Sequence, residues 1–227
     1  MSTSTTTMTP EQRVSKLFEI LENSDEEEHI SGNMTQLDHA LRVANLAKVE
    51  SADEDIILAA LMLDTGELMV NLSSSHNAEG DIIQFQLGGY PRNMSDTFDS
   101  DEVDDIIVRK FGFSNKTCEL VESNTFAKSY LGSITPEGLV SIIPRNIGII
   151  TPEDLAAGVE ATILMSGGLL SPTEMRKFEK DLLFKQKVQL AVWDVAAAKT
   201  TGDKPLALDT YRDMAIRNLL MSMVTLY

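Results

Sequence analysis

The sequence has little cysteine and no long apolar run, and both shortages limit what the protein can be. Cys118 is the single cysteine among 227 residues, so no internal disulfide can form. A lone thiol fits a reducing compartment, and we therefore expect a cytoplasmic protein. No run approaches the roughly 20 apolar residues that a membrane span needs. Residues 1–8 are rich in Ser and Thr without an apolar centre, so they predict a disordered tail rather than a secretory signal.

Basic residues are also scarce, and the balance of charge narrows the set of partners. The chain has 19 Lys and Arg against 35 Asp and Glu, which gives a formal net charge of −16. Such a surface repels phosphate backbones and anionic lipids, so we expect neither nucleic-acid nor membrane partners. The sequence also contains no glycine-rich phosphate loop, no pair of cysteines and no nucleophile elbow. The common motifs of nucleotide binding and serine hydrolysis are therefore missing.

Helical periodicity covers most of the chain. The segment Thr9-Pro10-Glu11-Gln12 has the cap residue, the proline and the glutamine of a capping box, and apolar residues follow it at helical spacing. Similar patterns predict further helices, two of them long: residues 115–131, and a helix from Ser171 through Asp194. Residues 70–99 break the periodicity with serines, glycines and a proline, which predicts a long irregular insert. We therefore predict an all-α fold with a single domain over residues 9–227.

The most informative stretch is the apolar segment Ala59-Ala60-Leu61-Met62-Leu63-Asp64-Thr65-Gly66-Glu67, although no single stretch is specific by itself. Together with five other stretches, it resembles the HD-domain family, and in particular the phosphonate-cleaving branch of that family. The other stretches are Gln36-Leu37-Asp38-His39-Ala40-Leu41, Phe111-Gly112-Phe113-Ser114, Ala127-Lys128-Ser129-Tyr130-Leu131, Gly167-Gly168 and Ala191-Val192-Trp193-Asp194. Their order and spacing carry the resemblance. It implies a compact helical domain that holds two irons and oxidises a small substrate.

The resemblance assigns six metal-ligand positions, and three of them have lost a histidine. His39 stands where the family has its first histidine, and Asp64 and Asp194 stand where it has its two aspartates. The three positions without the expected histidine hold Leu63, Ser100 and Asn124. A leucine has no lone pair to offer a metal, and two irons need several imidazoles besides a bridging carboxylate. We therefore predict that the protein uses no metal and no other cofactor.

Two arrangements remain open for the retained residues. A single ion could bind to His39, Asp64 and Asp194, because one imidazole and two carboxylates form a three-point site. Otherwise the two carboxylates interact with His39 or with Lys128, since acids in a dry pocket must pair or take up a proton. The resemblance gives the matching lysine a contact with the anionic group of the substrate. Lys128 is therefore either a donor to a substrate oxygen or the partner of a carboxylate.

The loss of metal ligands from a retained helical frame predicts a pocket with more apolar walls. A cycloaddition needs a folded, oriented substrate rather than a metal or a nucleophile. We therefore predict a cofactor-free cyclase of natural-product metabolism, which closes an apolar polyene, terpenoid or polyketide-like substrate by a pericyclic (Diels–Alder-type) reaction. Isomerisation by an acid–base pair of His39 and Asp64 is a close variant. The predicted catalytic residues are Lys128, His39, Asn124 and Asp64, and the predicted substrate-binding residues are Met62, Leu63, Ser100, Tyr130, Met165, Trp193 and Asp194.

The same losses of histidine are compatible with two other classes of protein. One is a non-catalytic protein that binds a small molecule or a partner on an inactive HD scaffold. The other is a mononuclear metal-dependent hydrolase or oxygenase. A catalyst should enclose an apolar cavity with a few convergent polar groups, whereas an inactive scaffold should have filled that cavity with side chains. The sequence leaves the oligomeric state open.

Overall fold

A computed structural model shows the chain as an assembly of helices. It describes residues 8–24, 29–31, 34–50, 53–63, 65, 100–142, 150–165, 168–200 and 204–225. Within these residues the fold is all-α, which confirms the predicted fold class. The predicted insert at 70–99 and residues 1–7 of the predicted tail lie outside the described residues.

The helices of the described segments are mostly short. In chain order they are α1 (Pro10–Ser24), α2 (Gln36–Glu50), α3 (Glu54–Leu61), α4 (Ser100–Phe111), α5 (Asn115–Glu122), α6 (Asn124–Gly132), α7 (Pro136–Ile142), α8 (Pro152–Met165), α9 (Pro172–Phe178), α10 (Phe184–Ala197) and α11 (Arg212–Thr225). Two short antiparallel strands, β1 (His29–Ser31) and β2 (Met34–Thr35), precede α2, and a 3-10 turn (Leu208–Tyr211) precedes α11. The strands are too short for an alternating pattern to show in the sequence.

The helix ends follow local sequence signals. At the start of α1 the amide of Gln12 donates to Thr9 Oγ1 at 3.3 Å, and the amide of Thr9 donates to Gln12 Oε1 at 2.9 Å. This reciprocal pair confirms the predicted capping box. Helix α4 ends before a glycine. Gly112 has a φ of +95°, a left-handed conformation that glycine adopts without a steric penalty.

Both long helices predicted from the sequence are broken in the structure. Residues 115–131 divide into α5 and α6 at Ser123, whose hydroxyl donates to the carbonyl of Glu119 at 2.8 Å. Such a side-chain bond to the preceding turn competes with the helical backbone pattern. The predicted helix from Ser171 through Asp194 divides into α9 and α10. There Asp181 accepts a hydrogen bond from the amide of Leu183 at 2.7 Å and forms a local turn.

Helix α10 lies at the centre of the packing. It contacts α2, α3, α5, α6 and α8, and residues 190–197 are all buried. Buried apolar side chains from α1 through α11 join it in one continuous core. A polar side chain within residues 190–197 is therefore far from water and must find its partners in the surrounding protein. None of the described helices is long and apolar enough to span a membrane.

Candidate functional site

Asp194 lies in the last turn of helix α10 and is buried. Its two carboxylate oxygens are contacted from two different helices. The Nε2 atom of His39, on α2, lies 2.8 Å from Oδ1. Two atoms on α6 each lie 2.7 Å from Oδ2: the Nζ atom of Lys128 and the side-chain Nδ2 atom of Asn124. Three donors thus converge on one buried anion, and they come from positions 155, 66 and 70 residues away in sequence.

The surroundings keep Asp194 in its charged form. Burial on its own would raise the pKa of this carboxyl group. The charge of Lys128 and the hydrogen bond from His39 outweigh burial, so the pKa lies well below its ordinary range. An ionised carboxylate only accepts hydrogen bonds. His39 therefore carries its proton on Nε2 at this contact, and Asn124 must turn its NH₂ group toward Asp194.

The orientation of Asn124 leaves its other end without a partner. The residue is 6% exposed, and its Oδ1 atom has no hydrogen-bond partner. The side chain cannot be reversed, because its carbonyl would then face the carboxylate of Asp194. A buried acceptor without a donor costs about 1–3 kcal/mol, so this atom is a natural contact point for a bound group.

The apolar residues predicted to line the pocket are largely packed into the core. Met62, Leu63 and Trp193 are all buried among apolar neighbours, and the hydroxyl of Thr65 lies 3.5 Å from the sulfur of Met62. Trp193 precedes Asp194 on α10, and its Nε1 atom has no hydrogen-bond partner. Burial in the core is what the structure shows for these side chains, and their predicted role in lining a substrate pocket stays a prediction.

Tyr130 lies in a different environment from the Asp194 cluster. Its ring packs edge-on against Phe178 and Phe184, at centroid distances of 5.4 and 5.2 Å. Its hydroxyl lies 3.1 Å from Glu179 Oε1, and burial together with this contact raises the pKa of Tyr130 to about 12. The contacts of Tyr130 are those of an aromatic packing cluster, and its predicted role in binding substrate stays a prediction.

Some of the predicted site residues cannot be placed. Asp64 lies outside the described residues, and so do the side chains of Ser100 and Met165. The backbone of Ser100 begins α4, and Met165 ends α8. Their predicted roles therefore remain predictions.

The pairing of Asp194 was one of the two arrangements that the sequence left open. The structure shows Asp194 in contact with both His39 and Lys128, which confirms that arrangement for this carboxylate. The contact of Asn124 with Asp194 was missed. An asparagine four residues before Lys128 shares its helix face, and that spacing was the available signal.

A second buried polar cluster was also missed. Asp55 Oδ1 accepts from Thr117 at 3.0 Å and from Asn218 at 2.8 Å, and it contacts the hydroxyl of Ser114. The amide of Ser114 in turn donates to Asn218 Oδ1 at 2.8 Å. These contacts join α3, α5 and α11, and each side chain in them has a partner, so the cluster ties helices together.

The described residues do not fit the two irons that the resemblance implies. Both oxygens of Asp194 already accept hydrogen bonds, one of them from an ammonium group. Leu63 offers carbon, and Asn124 turns its nitrogen toward Asp194. Within the described part of the chain, no group of three His, Cys, Asp or Glu side chains could hold a metal ion.

Comparison with known proteins gives distant relatives that span most of the chain. No family model matches the sequence. The chain is 26% identical over 209 residues to an uncharacterised protein of Acanthamoeba polyphaga mimivirus, which covers 92% of this chain and 82% of that protein. It is 25% identical over 203 residues to a hydroxymethylphosphonate dioxygenase of Gimesia maris, covering 89% of this chain and 86% of that enzyme. A distant relative of this chain is thus an enzyme of the phosphonate oxygenase type.

Proposed function

We propose that this chain is a degenerate HD-domain protein of the phosphonate-cleaving type that works without a metal on a small apolar molecule. The main support for this proposal is the contact between the Nζ atom of Lys128 and the Oδ2 atom of Asp194, at 2.7 Å. An ammonium group there balances the charge of a carboxylate that the resemblance assigns to a metal. His39, Asn124 and Asp194 were matched to ligand positions by sequence order alone, and they meet in space. This meeting supports the match.

The reaction that best suits such a site is a pericyclic cyclisation. It is an isomerisation, so it conserves every atom of the substrate and needs no oxidant or nucleophile. Holding the reacting carbons close and aligned can supply about 7–11 kcal/mol of the barrier. One hydrogen bond to a carbonyl that gains electron density can supply about 2–4 kcal/mol more. Met62 and Leu63, which are predicted to bind substrate, are apolar and suit a polyene or terpenoid.

Lys128 is the residue best placed to donate that hydrogen bond. Its side chain is 19% exposed, whereas that of Asp194 is 7% exposed, so the lysine lies on the outer side of the cluster. An ammonium group has three N–H donors, and a contact with Asp194 does not by itself prevent another with a substrate oxygen. Asp194 accepts a hydrogen bond from the Nε2 atom of His39. If the reaction is instead an acid–base isomerisation, His39 would transfer the proton.

A non-catalytic binding protein is the second candidate, and a specific observation favours it. Met62, Leu63 and Trp193 are all buried in the core, as expected where side chains have filled a former cavity. In that case the Asp194 cluster would only hold helices α2, α6 and α10 together. Both candidate functions are compatible with a cytoplasmic location and with the absence of nucleic-acid partners, and these two points remain proposals.

Metabolite comparison tests the proposed cyclase. The gene is deleted in its source organism and restored as wild type, as His39→Ala or as the surface variant Glu54→Gln. Deletion should remove the cyclised product and cause its uncyclised precursor to accumulate. The two compounds have identical mass but different retention times, because cyclisation changes no atoms. Wild type and Glu54→Gln should restore the product, and His39→Ala should not. If no pair of equal mass responds to deletion, the protein is not a cyclase and the non-catalytic candidate is favoured.

An oxygen-uptake assay tests the metal-independent part of the proposal. Purified protein is mixed with iron(II) and hydroxymethylphosphonate, the substrate in the name of the Gimesia maris relative. We expect no oxygen consumption beyond that of the mixture without protein. Consumption that depends on both the protein and the phosphonate would contradict the proposal.

A further inference from the structure

We propose that Gln36 determines which molecules the site accepts, because its side-chain carbonyl accepts a hydrogen bond from a hydroxyl or N–H group of the bound molecule. The inference rests on the proposed function and narrows its substrate class. A hydroxylated or amide-bearing polyketide suits such a site, whereas a pure hydrocarbon does not.

The first argument is the environment of Gln36. This residue begins α2 and is 6% exposed. Its Oε1 atom is buried and has no hydrogen-bond partner among the described residues. The start of α2 is capped by Thr35 instead, whose Oγ1 atom accepts from the amide of Asp38 at 3.0 Å. A buried carbonyl without a donor is destabilising, so a donor on a bound molecule would satisfy it.

The second argument is the position of Gln36 beside the Asp194 cluster. It lies three residues before His39 on α2, and residues at that spacing share a face of a helix. His39 and Asn124 contact the two oxygens of the same carboxylate, at 2.8 and 2.7 Å. The Oδ1 atom of Asn124 is likewise buried without a partner among the described residues. Two carbonyl acceptors thus lie on the two helices, α2 and α6, whose side chains meet at Asp194.

The chemistry of a carbonyl oxygen sets the class of group that it recognises. Such an oxygen only accepts hydrogen bonds, so its partner must carry O–H or N–H. A hydrocarbon or an ether placed against Oε1 of Gln36 would leave the acceptor buried and unpaired, and the site therefore selects against it. Because a pericyclic cyclisation conserves every atom, both the precursor and the product keep the donor group.

Two residues provide matched controls. Tyr211 is fully buried, and its hydroxyl has no hydrogen-bond partner among the described residues. The centre of its ring lies 5.6 Å from Nζ of Lys48, which follows Gln36 by 12 residues, or about 18 Å of helix. Tyr211→Phe therefore removes an unpartnered oxygen away from the site. Gln12 is the opposite case, since its Oε1 atom accepts from the amide of Thr9 at 2.9 Å.

The first measurement is urea unfolding of the full-length wild type, Gln36→Met, Tyr211→Phe and Gln12→Met. The first two variants should keep a midpoint at or above that of the wild type, because each replaces a buried, unpaired polar group with an apolar one. Gln12→Met should lower the midpoint, because it loses a bond of the capping box.

The second measurement uses a small-molecule extract of the deletion strain as the probe. Each protein is incubated with the extract and separated by size exclusion, and the retained compounds are analysed by mass spectrometry in H2O and in D2O. Wild type, Tyr211→Phe and Gln12→Met should retain a compound with at least one hydrogen that exchanges for deuterium. Gln36→Met should retain about tenfold less of it, which is the effect of one hydrogen bond on affinity.

Three results would overturn the proposal. The first is a Gln36→Met protein that does not fold or that loses as much stability as Gln12→Met, since Gln36 would then have a structural role. The second is a retained compound without an exchangeable hydrogen, or no retained compound. The third is equal retention by wild type and Gln36→Met. A compound that is retained through Gln36 but forms no pair of equal mass in the metabolite comparison would support this inference and contradict only the cyclase.

Discussion

Replacing Asp194 with asparagine should destabilise the protein strongly through the loss of charge. The variant keeps the size of the side chain and one carbonyl oxygen. If that oxygen faces Lys128 and Asn124, the new NH₂ group faces His39, whose Nε2 atom can become an acceptor by moving its proton to the other nitrogen. Most hydrogen bonds therefore survive. What is lost is the anion that balances Lys128 inside the protein.

The size of the effect follows from how deeply the pair is buried. Removing one partner of a buried ion pair costs about 3–5 kcal/mol. The lysine side chain is 19% exposed and regains some water, which places the expected loss at the lower end, about 3 kcal/mol. For a chain of 227 residues this corresponds to a fall in Tm of about 6–12 °C.

The assay is urea unfolding followed by far-ultraviolet circular dichroism, with thermal melts in parallel. Glu54→Gln is the control, because it neutralises one partner of an exposed pair with Arg217, in which the side chains are 41% and 53% exposed. Such a pair contributes about 1 kcal/mol at most. If Asp194→Asn costs no more than Glu54→Gln, the cluster is not held by charge and the reasoning above is refuted.

Three further predictions follow from single residues. The pKa of Asp194 is lowered in the folded state, so its contribution is fully present above the unfolded pKa of about 4 and is lost as pH falls toward the folded value. The difference in unfolding free energy between wild type and Asp194→Asn should accordingly shrink as the pH falls below about 4. Burial raises the pKa of Cys118 to about 12, so iodoacetamide at about pH 8 should label the thiol in urea and not in the native protein; rapid native labelling would contradict its burial. Gly112→Ala should cost about 1–2 kcal/mol in urea unfolding, because alanine is strained at φ of +95°, whereas an unchanged midpoint would show that the turn relaxes.

The positions of most helices could be predicted, because capping and periodicity are local signals. A few adjacent residues determine the capping box of Thr9 and Gln12, and a single glycine, Gly112, marks the end of α4. The breaks at Ser123 and around Asp181 could not be predicted in the same way. Apolar residues continue at helical spacing across both, and the bonds that interrupt the helix depend on which rotamer each polar side chain adopts.

The candidate site could be predicted only in part. The order of the motifs matched His39 and Asp194 to positions that meet in space, and helical spacing placed Asn124 and Lys128 on one face. Which donor each carboxylate oxygen accepts depends on distances between helices that no sequence pattern specifies. The packing of α6 against α10 shows the contact of Lys128 with Asp194, and a contact of Lys128 with a substrate oxygen stays a prediction.

The charge of Asp194 and its contact with Lys128 bear on the proposal that the protein works without a metal. Histidine ligands are neutral when they bind a metal, so replacing them with leucine or asparagine changes no charge directly. A buried carboxylate without a metal ion beside it needs another cation or a proton. The Nζ atom of Lys128 supplies a positive charge 2.7 Å from Oδ2 of Asp194. A site that had lost its ligands without such a cation would have to give up the carboxylate or protonate it. The contact of Lys128 with Asp194 therefore supports the proposal that this carboxylate stays charged without a metal ion.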